Sequence, residues 1–192
     1  SGILVCSSVN IVEPNKRMRW IKCSADIFEK RGGYKSLTLR SDAAEAYKNL
    51  YDDVKSLGGI VTTAGGKRSL SSKTSPSRSK KSMHYVGLAF DLSLATGMQN
   101  YKTDPYIVVK RPNRKWEIFC RTEDDSVPVV ELEATVATTK AGKTKISQKK
   151  VKGRFFSFTA LAEQHGFYPI SARSSFFRGG SYTGAEWWHF QW

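Results

Sequence analysis

The sequence predicts an α+β domain, and three observations predict it. Residues 41–57 place Ala43, Ala46, Leu50, Val54 and Leu57 at helical spacing behind a Ser41-Asp42 cap, and Gly58-Gly59 ends the run. Residues 88–92 alternate as a strand, with Leu88, Phe90 and Leu92 on one face and Ala89, Asp91 and Ser93 on the other. Residues 101–153 then read as a separate β-rich unit, with candidate strands at 106–110, 115–121 and 129–138 joined by the turn-forming RPNR and EDDS stretches.

The remaining elements fill in around these. The β-branched run 60–63 between glycines reads as a short strand. A second helix is expected over 157–165, with Phe158, Leu161 and Ala162 inward and Gly166 as its stop. Residues 65–83 carry six cations and no acid, so a mobile, solvated connection is expected there. Residues 140–152 carry six lysines and no acid and read as a basic tail of the β unit. The expected organisation is one domain over residues 1–192, with 101–153 inserted into it.

At 192 residues and 40% apolar content the chain is long enough to bury a core and is not a disordered chain. Its formal charge of +14 draws it towards polyanions: nucleic acid, anionic lipid or anionic envelope polymers. No apolar run approaches a membrane span, and Ile3-Leu4-Val5-Cys6 is too short for a signal-peptide core, so a soluble chain without a leader is expected. Cys6, Cys23 and Cys120 are odd in number and widely spaced. Three free thiols are the favoured expectation, with a Cys6–Cys23 bridge as the alternative in an oxidising compartment.

Only three histidines exist, and two keep unusual company: His84 stands seven residues before Asp91, and His189 three residues after Glu186. Two imidazoles and a carboxylate are a ligand set of catalytic zinc, and a further carboxylate nearby is what metal-assisted hydrolysis needs. On spacing alone a second reading stands beside this one, in which His84 caps a turn and His189 packs among tryptophans. His165, on the last turn of a helix, is left outside the site, and the terminal tryptophans read as core and pocket wall.

The residue pattern Ser82-x-His84-x-x-Gly87-x-Ala89-x-Asp91, followed far downstream by Glu186-Trp-Trp-His189-Phe, resembles the zinc D-Ala-D-Ala peptidases. That group, named for lysostaphin, D-Ala-D-Ala carboxypeptidase and sonic hedgehog, includes D,D-carboxypeptidases, D,D-dipeptidases and L-alanyl-D-glutamate endolysins. The GGKRS stretch at 65–69 and LAEQHGF near the second helix extend the likeness, which covers about 37–93 and 155–192. The resemblance implies a hedgehog-like fold, in which a small, mostly antiparallel sheet carries one zinc ion and helices flank it. It implies that His84, Asp91 and His189 bind the metal, that Glu186 is the general base, and that Arg68 grips a substrate carboxylate or carbonyl. Ser82 either donates to bound substrate or holds the turn that carries His84.

The implied activity is zinc-dependent hydrolysis of peptidoglycan stem peptides by a monomer. The favoured form is a D,D-carboxypeptidase, and an L-alanyl-D-glutamate endopeptidase is its rival. The target would be the cell envelope, with the chain bacterial, phage-encoded or delivered, and its lysines would hold it on anionic polymers there. The sequence departs from the family pattern at Lys67, where an aromatic is usual, in the cationic loop after Arg68, and in the long span from Asp91 to Glu186. Two readings of other classes stand beside this one: a basic nucleic-acid-binding protein, and a zinc-holding domain that binds without catalysis.

Overall fold

The computed structural model describes residues 2–11, 18–26, 33–72 and 81–192. Three antiparallel sheets and three helices make up the mixed α and β architecture. The first sheet runs β1 (Val5–Val9), β2 (Trp20–Ser24) and β3 (Ser36–Arg40) in that order. These strands were not foreseen in the sequence, although Leu37 and Leu39 alternate inward on β3. Helix α1 (Ser41–Ser56) follows directly and buries Ala43, Tyr47, Leu50, Tyr51 and Val54. Its expected Ser41 cap is not used: Arg40 stands at the cap, and Asp42 accepts from the Ala43 N–H at 2.9 Å while pairing with Arg40.

The expected strand at 60–63 does not form a ladder. Residues 61–63 are buried, and a side chain satisfies part of the backbone instead. The Tyr106 hydroxyl donates to the Ile60 carbonyl at 2.7 Å and accepts from the Thr62 N–H at 3.1 Å. Strand pairing starts later, as a single bridge between Gly65 and Asp91.

The site sheet is small, with order β4 (Ala89–Asp91), β10 (His189–Gln191), β9 (Tyr168–Pro169). Its buried face is aromatic. Phe90 stacks on Phe190 at 5.4 Å and meets Tyr47 of α1 and Phe167 edge-on, each at 5.0 Å, while Phe158 of α2 (Phe158–Gln164) meets Phe190 at 5.3 Å. Ser157 caps α2 by accepting from the Ala160 N–H, and Gly166, at φ +82°, turns the chain after it. His165, outside the site, pairs with Asp53 of α1 at 2.6 Å.

The inserted unit is a closed four-stranded barrel of β5 (Tyr106–Lys110), β6 (Trp116–Arg121), β8 (Lys143–Ser157) and β7 (Val129–Lys140). It continues past the expected boundary at 153, to Ser157. The basic stretch 140–152 is no tail: most of it is β8, paired residue for residue with β7 from Val129↔Arg154 to Lys140↔Lys143. Ala141 and Gly142, both at positive φ, make the two-residue turn that allows this hairpin. Ile107, Val109, Ala134, Val151 and Phe155 form the barrel's own core, while Tyr106, Val108, Trp116 and Ile118 face the main core.

The favoured expectation of three free thiols is also corrected. Cys6 and Cys23 face each other across β1 and β2 and form a disulfide, and only Cys120 is free. Spacing along the chain could not reveal a pairing created by strand register. Cys120 is buried, which pushes its thiol up to about 12. Among the described residues no helix is long and apolar enough to cross a membrane.

Candidate metal centre

The turn that carries His84 is a single 3-10 turn, Met83–Val86. Ser82 caps it, its hydroxyl accepting from the His84 N–H at 3.3 Å, so the turn-holding role proposed for Ser82 is the one its contacts show. Gly87 ends the turn at φ +67°, and the position tolerates no side chain: a Cβ there would lie 2.3 Å from the Trp20 ring and 2.8 Å from the Arg40 nitrogen. The glycine thus turns the chain and also lets β2 and β3 close over the site. Its carbonyl accepts from the Arg40 N–H at 2.9 Å.

Asp91 and His189 come together through strand register. They lie directly opposite on β4 and β10. Hydrogen bonds from Leu92 N–H to the Trp188 carbonyl and from Trp192 N–H to the Leu88 carbonyl make those the bonded pairs. Asp91 and His189 are therefore a non-hydrogen-bonded pair, the arrangement in which opposite side chains approach most closely. On its other edge Asp91 is held by Gly65, with Asp91 N–H to the Gly65 carbonyl at 2.9 Å and Ala64 N–H to the Asp91 carbonyl at 2.7 Å.

The donor atoms converge. Asp91 Oδ1 lies 3.1 Å from His84 Nε2 and 3.0 Å from His189 Nδ1, and the two nitrogens are 3.1 Å apart. All three residues are buried. The outer nitrogens are already committed. His84 Nδ1 stands 2.7 Å from the Gly66 carbonyl, which can only accept, so that nitrogen carries a proton and Nε2 turns inward. His189 Nε2 stands 3.3 Å from Gln191 Oε1, which leaves Nδ1 inward. The inner edge of the cluster thus gathers two ring nitrogens and a carboxylate oxygen within about 3 Å of one another.

A divalent metal ion satisfies all three atoms at once. The three donor atoms, about 3 Å apart, are close enough together to share one ion of the kind that binds nitrogen and carboxylate oxygen at about 2.0–2.2 Å. The buried His84, Asp91 and His189 group can therefore hold a metal ion. Burial pushes the Asp91 carboxyl up, but hydrogen bonds and charge from His189 and His84 outweigh it and hold the group at about 2, ionised and ready to ligate.

All six residues singled out in the sequence line one cleft of about 470 Å³: Arg68, Ser82, His84, Asp91, Glu186 and His189. Arg68 donates to Asp91 Oδ2 at 3.1 Å, the oxygen turned away from the histidines, and its backbone N–H bonds the His84 carbonyl. Lys67 lies over the Trp20 ring at 4.7 Å, outside the cleft lining. Of the cationic loop that follows, residues 73–80 lie outside the described residues. Glu186 sits at φ +53°, unusual for a residue with a side chain, and its carboxylate pairs with Arg173 at 3.0 Å. Trp187 is core, and Trp188 forms part of the cleft wall.

Sequence reasoning missed Arg173, Gln191 and the exposed Tyr34 at the cleft. Gln191 was within reach, because residues two apart on a strand share a face. Arg173 and Tyr34 gave no signal, since only the folded chain brings them near the motif residues. No family model, curated protein or solved structure matches this chain, so the chemistry of the site rests on its own residues.

Proposed function

We propose that the chain is a zinc metallopeptidase of hedgehog and D-Ala-D-Ala peptidase type that hydrolyses peptidoglycan stem peptides, removing a terminal D-alanine from a D-Ala-D-Ala end. The observation that carries this reading is the convergence of two motifs, 98 residues apart at Asp91 and His189, on one buried donor cluster with a carboxylate on the same cleft. Zinc, when bound, supplies a Lewis acid for the scissile carbonyl and brings the pKa of water towards about 7. His84, Asp91 and His189 would hold it.

The remaining steps belong to the chain's own side chains. Glu186 takes the proton of the attacking water and delivers it to the leaving amine, so that one water and one amide give a carboxylate and an amine. Arg68 has N–H donors beyond the one spent on Asp91, and its planar fork suits the carboxylate at a peptide end. Met83, Ile170 and Trp188 give the cleft apolar wall for an alanine methyl. At the far end of the β7–β8 hairpin, exposed Lys140, Lys143 and Lys145 hold the enzyme on anionic envelope polymers.

The test is mass spectrometry of muropeptides ending in D-Ala-D-Ala after incubation with zinc-loaded protein, with Glu186→Ala as control. Loss of one alanine with the wild type alone supports the carboxypeptidase. A cut between L-alanine and D-glutamate replaces it with the endopeptidase, and unchanged muropeptides refute the peptidoglycan substrate.

A further inference from the structure

The inserted barrel touches the site lobe at positions next to two of the charged residues that line the cleft, Arg173 and Glu186. Ala172, next to Arg173, donates its N–H to the Arg114 carbonyl at 2.8 Å, and Ser171 Oγ donates to the Asn113 carbonyl at 3.1 Å. Both acceptors lie in the β5–β6 turn. Ala185, next to Glu186, accepts at its carbonyl from the Trp116 indole N–H at 2.7 Å. Between these anchors the two segments join each other, through Arg173 N–H to the Gly184 carbonyl at 2.8 Å and the Arg173–Glu186 ion pair at 3.0 Å. The buried Trp116 ring also packs on Phe176 and Phe177, of the connecting segment, at 5.9 and 5.6 Å.

Beyond these anchors, the Glu186 carbonyl accepts from the His189 N–H at 3.3 Å and the neighbouring Trp187 is buried in the core. The strand ladder begins only at His189, and residues 171–184 are rich in serine and glycine, with one four-residue helix, α3 (Ser174–Phe177). Such a segment loses much conformational freedom when ordered. Glu186 is moreover held in the left-handed region, a conformation that persists only where surrounding contacts over-determine it. Part of the surrounding contacts here comes from β6 and the β5–β6 turn, beside those of Tyr182 and Trp187.

We propose that the inserted barrel is a scaffold for the Glu186 carboxylate, with Trp116 and Arg173 as its positioning residues; the proposal rests on the reading of Glu186 as general base. Trp116 fixes the backbone from which Glu186 projects. Arg173 fixes the direction of the carboxylate by its ion pair at 3.0 Å. A base displaced by an ångström or so loses rate without losing substrate affinity, because its work lies in the transition state.

Trp116→Phe keeps an aromatic ring against Phe176 and Phe177 and removes the indole donor along with part of the ring volume. Arg173→Gln removes the charge of a half-exposed residue, and Arg173→Lys restores it without the fork. Amide hydrogen exchange is read first, on zinc-loaded protein without substrate, and then zinc content and muropeptide kinetics. We expect faster exchange around residues 184–188 in Trp116→Phe, with residues 84–92 and zinc content unchanged. We expect kcat to fall about 10- to 100-fold at constant KM in Trp116→Phe and Arg173→Gln, with partial recovery in Arg173→Lys.

Unchanged exchange at 184–188, or a loss expressed in KM alone, overturns the scaffold. An inactive wild type overturns the general-base reading and with it the catalytic sense of the scaffold, whereas an active wild type indifferent to both substitutions overturns the scaffold alone. Should Trp116→Phe fail to fold, Arg173→Gln decides the question.

Discussion

The site lobe and the inserted barrel solve the same problem of order by opposite means. The barrel is regular: twelve β7–β8 residue pairs in unbroken register define most of it, and its own core is five buried side chains. Among the described residues, the site sheet has strands of two or three residues, and short 3-10 turns at Met83–Val86, Leu94–Thr96 and Tyr182–Gly184 and irregular backbone surround it. It is held by stacked aromatics on one face of β4 and β10, and by side chains that satisfy backbone groups no ladder reaches. Short strands let four separate stretches of chain meet at one point, which a long ladder would forbid. Chemistry gathers in the irregular lobe and regularity in the unit that supports it.

The sharpest way to break this contrast is at Glu186. Glu186→Gln removes the proton acceptor and should lower hydrolysis by about a hundred- to ten-thousand-fold while zinc content stays at that of the wild type. Loss of zinc in this variant would show that the carboxylate is part of the metal cluster instead.

The two cores should respond differently to the same kind of damage. Phe90→Ala opens the aromatic stack beneath Asp91 and should cost about 3–5 kcal/mol, read by denaturant unfolding, with weakened zinc retention. Ile107→Ala in the barrel should cost about 2–5 kcal/mol and leave zinc retention intact. Equal loss of zinc in both would mean that the lobes are one cooperative unit with no division of labour.

Smaller effects follow from the barrel surface and the thiols. Because residues 143–157 are β8, deleting the basic stretch would remove a barrel strand, so the polymer-binding role is tested by charge alone. Neutralising Lys140, Lys143 and Lys145 to Gln should weaken sedimentation with cell walls at low salt and leave cleavage of a small soluble peptide unchanged. A thiol-reactive dye should find no cysteine in the native protein, one after unfolding and three after unfolding with reductant. Three without reductant would restore the expectation of free thiols.

What the sequence made legible follows the same division. Strands β5, β6 and β7 were readable from the turn-forming RPNR and EDDS stretches that separate them, and helix α2 from its inward Phe158 and Ala162 and its Gly166 stop. Residues 60–63 misled because β-branched residues were taken for a ladder that Tyr106 and Thr62 replace with side-chain bonds. The lysines of 140–152 masked a strand because charge was weighed over pairing. His84, Asp91, Glu186 and His189 could be named from their residue types and order. Arg173 could not, since its place exists only through contacts the fold creates, and the Cys6–Cys23 bridge, named only as the alternative, is decided by the β1–β2 register.

The most direct measurement is a crystal structure of the zinc-loaded protein at atomic detail around the cleft. One ion bonded to His84 Nε2, Asp91 Oδ1 and His189 Nδ1 at about 2.0–2.2 Å is the expected result, with Gly66 and Gln191 still on the outer nitrogens. Zinc bound elsewhere, or bonded through the opposite nitrogen of either histidine, would contradict the account.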